Sequence, residues 1–402
     1  MDDPSEAYGP NRQREVYASG MLADLRPDLP ISPDELREAA MAALSEEAYA
    51  YVVGSAGGED TAARNHEAFG RWRIVPRMLR GVAERDLSVE LLGQELPVPV
   101  ALAPVGVQSI IHEGGELASA RAAKDLEVPF VSSSAASATM EEVAEELGDA
   151  TGWFQLYPSK DSDVTASFLD RAENAGYEAV VMTLDTPTMG WRERDVQNAY
   201  LPFLDGEGVA NYLSDPAFRD SLDAPPEEDE RGALWRFVEQ FGDLGMDWET
   251  VEFVREHTDL PVVLKGILHP ADAREAVERG VDGIVVSNHG GRQVDGAISA
   301  IEALPRVVSA VEDETATGDD FAVLFDSGIR RGADAIKAMA LGADAVLLGR
   351  PYVYGLAIDG EDGVREVVQN FLADLDLTLA LSGLDSVAEL DESVLVDTAA
   401  SN

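Results

Sequence analysis

From residue 98 onward the chain alternates between two patterns. Short β-branched or apolar runs are each followed by a polar or Gly-rich break and then a stretch of helical periodicity. The runs are Val98–Ala103, Val128–Ser132, Gly152–Leu156, Ala179–Leu184, Val262–Lys265, Gly283–Ser287, Ala322–Phe325 and Ala345–Leu348. The helical stretches are Glu116–Leu126, Glu141–Leu147, Val164–Ala175, Trp248–His257, Ala271–Arg279, Ala300–Val311, Ala333–Ala340 and Val364–Leu381. Continuous apolar runs of four to six residues are what strands buried on both faces look like. Eight strands, each followed by a helix, is the count that closes a parallel barrel, so the pattern predicts an α/β fold of the TIM (β/α)8 type. A doubly wound open sheet is the competing fold, but it more often carries five to seven strands and a glycine-rich first turn.

Residues 1–95 are polar and helix-leaning, and are expected to form an N-terminal helical extension packed on the barrel. The barrel itself is assigned to 96–384, with an insertion at 188–247, and residues 385–402 read as a C-terminal tail. The insertion contains Pro225-Pro226-Glu227-Glu228-Asp229-Glu230. Connections longer than ~15 residues are usually functional lids or disordered linkers. Tyr200, Phe203, Tyr212, Phe218, Trp235 and Phe237 argue that parts of it pack, so a lid over the barrel mouth and a mobile acidic loop both stand as readings.

Composition narrows the chemistry. The 402 residues include no cysteine, which excludes disulfides, thiolate-bound zinc, iron–sulfur clusters and a cysteine nucleophile. Thirty basic residues against 76 acidic ones give a net charge of −46. Such a surface repels nucleic acid and anionic lipid, so neither is an expected partner. Acidic faces such as Glu141, Glu142, Glu145 and Glu146 lie on helical stretches, and their self-repulsion destabilises a compact chain unless salt screens it. A salt-rich cytoplasm is the expected setting. No run of 18 apolar residues exists, and Met1-Asp2-Asp3-Pro4 is not followed by the basic-then-apolar pattern of a signal peptide.

In a parallel barrel the chemistry sits where strands end. Here the ends read Pro104-Val105-Gly106, Ser133-Ser134, Gln155-Leu156-Tyr157, Thr183-Leu184-Asp185-Thr186-Pro187, Lys265-Gly266, Ser287-Asn288-His289-Gly290-Gly291-Arg292-Gln293, Asp326-Ser327-Gly328-Ile329-Arg330 and Gly349-Arg350-Pro351. Gly328/Arg330 and Gly349/Arg350 follow the seventh and eighth strands, where barrels commonly bind phosphate, and a phosphorylated cofactor is its natural bearer. Lys265 is placed to stabilise negative charge on a ring, while Ser133, Gln155 and Thr183 suit the edge of a heteroaromatic. Of five histidines, only His289 closes a strand. A single histidine argues against a metal-dependent hydrolase, and no metal site is expected. It suits a general base beside Arg292, a clamp for a carboxylate. Plainer readings remain open: a surface lysine at 265, a packed core histidine at 289, and helix-end salt bridges at 330 and 350.

The stretch Ser287–Gln293 resembles the active-site signature of the FMN-dependent α-hydroxy-acid oxidases and dehydrogenases. Ala103-Pro104, Gln155-Leu156-Tyr157, Thr183–Pro187, Lys265-Gly266-Ile267, Asp326–Arg330 and Gly349–Pro351 match the same family, and the similarity runs from Tyr51 to Leu384. Pro76-Arg77-Met78-Leu79, Glu84–Leu91 and Gly190-Trp191-Arg192 resemble its lactate monooxygenase branch. The resemblance implies FMN as cofactor and a small L-2-hydroxy acid and oxygen as substrates. It implies His289 as the proton acceptor, Asp185 as the group that holds it, and Arg192 and Arg292 as carboxylate ligands, with the Tyr51 and Tyr157 hydroxyls helping. Lys265 would face N1 and O2 of the flavin. Ala103, Pro104, Gly106, Ser133, Gln155, Thr183 and Ser287 would surround the ring, and Asp326, Gly328, Arg330, Gly349 and Arg350 would hold the ribityl phosphate. A homotetramer or larger assembly is implied as well.

Two small residues bear on the outcome of the reaction. Gly106 stands where family oxidases carry alanine. Either the missing methyl leaves room for oxygen or for a lingering keto acid, or a turn with positive φ requires glycine. Ala135 stands where relatives carry a larger side chain, which predicts a pocket roomier than lactate needs. Retained pyruvate would react with peroxide to give acetate, carbon dioxide and water. Early release would give the 2-oxo acid and hydrogen peroxide, and transfer to another acceptor would make the chain a dehydrogenase. A flavin-dependent isomerase of diphosphates or a non-catalytic flavin binder would not call for His289, Arg192 and Arg292 together.

Overall fold

The computed structural model describes residues 8–315 and 321–399, so Met1-Asp2-Asp3-Pro4 lies outside the described residues. The N-terminal arm contains helices α1 (Tyr8–Ala23), α2 (Pro33–Ala43), α3 (Glu46–Val53) and α4 (Asp60–Glu67). It also contains strands that the polar composition concealed: β1 (Trp72–Ile74) and the hairpin β2 (Val89–Leu91)–β3 (Gln94–Leu96). Alternation over three residues is too short to register as strand periodicity. The hairpin closes the barrel floor. Leu91 and Leu96 pack with Val131, Trp153, Val181, Val263, Val285, Leu324 and Leu347, the inward-facing side chains of the barrel.

The barrel strands are β4 (Val100–Leu102), β5 (Phe130–Ser133), β6 (Gly152–Leu156), β7 (Ala179–Thr183), β8 (Val262–Ile267), β9 (Gly283–Val286), β10 (Ala322–Phe325) and β11 (Ala345–Leu348). Each pairs in parallel with its neighbours, and β11 returns to β4 through Leu348 opposite Leu102, closing the cylinder. Alternate residues of each strand point inward and outward. The outward set, including Phe130, Phe154, Met182, Ile284 and Phe325, is buried beneath the helix layer. That double burial explains why the strands read as unbroken apolar runs.

The covering helices are α5 (Gly115–Asp125), α6 (Met140–Leu147) and α7 (Ser162–Ala175), followed after the insertion by α12 (Trp248–Glu256), α13 (Pro270–Glu278), α14 (Ala300–Glu314), α15 (Gly332–Ala340) and α16 (Arg350–Ser382). Helix α6 starts on a reciprocal cap, Thr139 accepting from Glu142 N while the Glu142 carboxylate accepts from Thr139 N. The last helix begins at Arg350, fourteen residues before the periodicity expected at Val364, and is interrupted at Asp359 and Gly360. Its glycines 355 and 363 press against each other's backbone, a close approach that dilutes the apolar pattern.

Between β7 and α12 the insertion forms α8 (Glu193–Asn198), α9 (Ala210–Ser214), α10 (Pro216–Asp220) and α11 (Glu230–Gln240). Phe203, Tyr212, Phe218 and Phe237 are buried in one aromatic cluster, with Tyr212 and Phe237 ring centroids 4.7 Å apart. Trp235, by contrast, is half exposed. Asn211 is fully buried and pins the insertion to the barrel rim: its Oδ1 accepts from Met140 N at 2.7 Å and its Nδ2 donates to the Ser133 and Ser134 carbonyls. The segment after residue 385 includes β12 (Leu395–Asp397), antiparallel to β1 with Val396 opposite Arg73.

Candidate active site

The register of the barrel brings the strand-end residues together. Ser133 lies opposite Gln155 across β5 and β6, and Thr183 opposite Lys265 across β7 and β8. Beyond β9 the chain turns through His289, Gly290 and Gly291, all with φ between 57° and 81°. A left-handed histidine is uncommon and persists only where surrounding bonds impose it. Here Ser287 Oγ accepts from His289 N, Ser327 Oγ from Gly290 N, and Asn288 Oδ1 from Gly291 N, each at 3.0–3.1 Å.

His289 Nδ1 stands 2.7 Å from Asp185 Oδ1 and 3.3 Å from Thr186 Oγ1. With Nδ1–H donating to the carboxylate, the lone pair stays on Nε2, on a ring that lines the cavity. Asp185 reaches the histidine because β8 breaks at Gly266, whose φ is +114° and where a Cβ would lie 2.8 Å from that of Asp185. Burial and the charges of Lys265 and Arg192 outweigh Asp185 and hold the imidazole below its ordinary pKa. Burial works against the Asp185 charge, but His289 and Lys265 overcome it and keep the carboxyl below its ordinary range. The pair is thus set as carboxylate and neutral imidazole near pH 7. Tyr157 is pushed up to about 12 by burial and by Asp185, so its hydroxyl remains a donor.

Two guanidiniums flank this pair. Arg192, 6% exposed, donates from Nε to the Arg292 carbonyl and from Nη2 to Gln293 Oε1. Arg292 donates from Nη1 to the Tyr51 and Gly54 carbonyls, and its guanidinium carbon lies 5.2 Å from the Tyr51 ring centre. Burial and the neighbouring Arg192 lower the Arg292 pKa, the mark of a positive site short of an anion. Tyr51, Tyr157, Arg192, His289 and Arg292 all line one cavity, together with Met189, Phe203 and Phe241 from the insertion.

The opposite side of the same cavity is lined by Ala103, Pro104, Gly106, Ser133, Thr183, Lys265, Asp326, Gly328, Arg330, Gly349 and Arg350. Lys265 Nζ sits 3.0 Å from both Asp326 Oδ2 and Ser287 Oγ. Burial disfavours its charge, yet Asp326 and Asp185 hold its pKa above the ordinary value. Arg330 and Arg350 are depressed by burial, and both direct their guanidiniums at neutral oxygens: Ile329 O for the first, Val52 O, Gly290 O and Ser55 Oγ for the second. Two part-buried cations bonded to no carboxylate among the described residues form a ready anion site, and at Gly349 the space a side chain would take is open but for Ala103 at 3.8 Å. This donor set fits a flavin mononucleotide, the phosphate on Arg330 and Arg350 and the ring beside Lys265.

Some expected roles change on this geometry. Gln155 and Ser287 do not line the cavity. Gln155 bridges Ser133 Oγ and Thr183 Oγ1 from behind, and Ser287 supports Lys265 and His289. Asp185 keeps its place behind His289. Gly106 has no positive φ, and a Cβ there would lie 2.5 Å from the Ala135 carbonyl oxygen. A close backbone approach, rather than a turn with positive φ, is what the glycine meets here. Ala135 lines the same cavity as Phe203 and Phe241 of the insertion. Those two, Met189 and Gln293 were missed as site residues; only the aromatic content of the insertion signalled the first pair.

The comparisons agree with this geometry. The FMN-dependent dehydrogenase family matches residues 40–397, and the chain belongs to that family. It is an FMN-dependent α-hydroxy-acid oxidoreductase. It is 42% identical to the L-lactate oxidase of Lysinibacillus sphaericus over 91% of this chain and 93% of that protein. It is 44% identical to an FMN-dependent alpha-hydroxy acid dehydrogenase of Schizosaccharomyces pombe over 94% of each. The crystal structure of a mandelate oxidase superposes with a TM-score of 0.79 at 39% identity, covering 91% of this chain and 98% of the other.

Proposed function

We propose that this chain oxidises a small L-2-hydroxy acid such as L-lactate with oxygen as the final acceptor, as a lactate 2-monooxygenase-like enzyme. The observation that carries the reading is the His289–Asp185 pair beside two anion-poor guanidiniums in one cavity walled by the insertion. Arg192 and Arg292 bind the substrate carboxylate. Tyr51 and Tyr157 hold its oxygens. His289 Nε2 takes a proton from the substrate as the α-carbon gives up two electrons, and Asp185 stabilises the imidazolium. FMN held by Arg330, Arg350 and Lys265 would supply the two-electron acceptor and the route to oxygen, and the Lys265 ammonium would offset negative charge on its ring.

The aromatic wall and the buried Arg192 favour retention of the keto acid, and with it the balance lactate + O2 → acetate + CO2 + H2O. The oxidase alternative, 2-oxo acid plus hydrogen peroxide, is supported by the names of the curated relatives. A dehydrogenase using another acceptor is a further alternative, supported in the same way. The exposed Tyr17, Met21, Leu22 and Leu25 of the N-terminal arm support assembly into a homotetramer or larger oligomer, and the acidic surface supports work in a salt-rich cytoplasm. The test is to mix holoenzyme anaerobically with L-lactate, glycolate and longer 2-hydroxy acids, then admit air. Flavin bleaching followed by carbon dioxide without peroxide is expected. Peroxide selects the oxidase, slow reoxidation selects the dehydrogenase, and no bleaching by any acid overturns the reading.

A further inference from the structure

We propose that Gln293 is a positioning residue that keeps Arg192 available to the substrate by holding it away from Asp195. This rests on the reading of Arg192 as a carboxylate anchor. Gln293 uses its carboxamide completely. Nε2 donates to the Asp185 carbonyl at 2.7 Å and the Thr188 carbonyl at 2.8 Å, while Oε1 accepts from Gly190 N at 3.3 Å and Arg192 Nη2 at 3.0 Å. One side chain therefore ties both ends of segment 185–192, with the histidine's partner at one end and the carboxylate anchor at the other. Gly190 allows this docking, since a Cβ there would lie 2.6 Å from the Arg292 and Gln293 carbonyl oxygens.

A competitor waits beside the anchor. Asp195, on the first turn of α8, has a buried Oδ1 with no hydrogen-bond partner, and its Oδ2 lies 4.0 Å from Arg192 Nη1. Its carboxyl is short of hydrogen bonds, so a guanidinium freed from Gln293 gains by turning onto it. An arginine neutralised in that way binds a substrate carboxylate poorly. The structure thus pairs a neutral holder on one side of Arg192 with an under-bonded anion on the other, and Gln293 decides which of the two it serves.

The experiment uses holoenzyme variants Gln293→Leu and Gln293→Leu/Asp195→Asn, with L-lactate as substrate and oxalate as a carboxylate probe read by its perturbation of the flavin spectrum. Gln293→Leu is expected to raise both KM and the oxalate dissociation constant at least tenfold. FMN affinity and the limiting rate of flavin reduction should stay within threefold of wild type. Adding Asp195→Asn should recover at least threefold of the oxalate affinity. Unchanged oxalate binding in Gln293→Leu overturns the proposal. So does a parallel loss of FMN, Tm and kcat, or a double variant no better than the single one. Wild-type enzyme that no 2-hydroxy acid bleaches overturns the proposed function instead, while the oxalate series still reads the positioning role.

Discussion

Replacing Asp185 by asparagine separates two contributions to proton transfer. On the proposed function the base works as neutral imidazole, and burial with Lys265 and Arg192 places its pKa below the ordinary value of about 6.5. A group with a depressed pKa is already unprotonated at neutral pH, so kcat/KM should rise with pH along a limb lying below about 6.5 and be level by neutral pH. Asp185 opposes that depression. Its neutralisation should therefore move the acid limb to still lower pH, while kcat falls about 10²- to 10⁴-fold because the imidazolium loses its counter-charge. A pH–rate series on both proteins checks the sign, and a limb moving upward contradicts it. Gly106→Ala is a second case. A methyl 2.5 Å from the Ala135 carbonyl must displace backbone, so a stability loss of about 1–3 kcal/mol is expected in thermal unfolding. An unaltered Tm would contradict the packing account. Most residues that touch the cavity were legible in sequence because each ends a strand, and strand ends are readable from apolar runs. Gln155 and Ser287 were read as neighbours of the flavin ring because sequence gives the rim and not the depth behind it.

Elements differ in how visibly they are encoded. The eight barrel strands announced themselves through double burial, with boundaries displaced by at most two residues, and their helices followed closely except α14, which runs three residues further, and α16, which starts fourteen residues earlier. The β2–β3 floor and the β1–β12 ribbon were missed, because three-residue strands carry too little alternation and β1 finds its partner some 320 residues away. The insertion was read as either lid or mobile loop. Its aromatic cluster and the triple bonding of Asn211 show it docked on the rim. Asn211→Ala would leave the Met140 N–H buried without an acceptor, a cost of about 1–3 kcal/mol. The wall above the substrate should loosen with it: a fall in Tm with a several-fold rise in KM is expected, and a change in neither measurement would show that the insertion is held by other contacts. Arg85 and Asp376 form a buried pair, side chains 7% and 1% exposed, that also receives Gly9 N and so ties α1 to α16 and the segment before the floor hairpin. Breaking it through Arg85→Met strands a buried carboxylate and should cost about 3–5 kcal/mol in denaturant unfolding.

At the scale of the whole molecule, charge was readable from composition alone, and its consequence is a property of the solvent as much as of the fold. With 76 acidic against 30 basic residues, repulsion acts over about 10 Å at 0.1 M salt and ~3 Å at 1 M. The ion pairs that salt also screens, such as Arg279 with Glu252 and Glu275, engage only a minority of the acids. Tm should accordingly rise by several degrees between 0.1 and 2 M KCl, and a flat or falling Tm would contradict the halophilic reading. Among the described residues no helix is long and apolar enough to cross a membrane.

On the proposed function the imidazole at 289, oriented by Asp185, takes the substrate proton next to the flavin site. Stopped-flow absorbance of the flavin, recorded without oxygen after mixing with L-lactate, tests it in wild type and in His289→Gln. The account predicts that the variant keeps its FMN spectrum and oxalate affinity but reduces the flavin at least a hundredfold more slowly. Reduction within tenfold of the wild-type rate would contradict it.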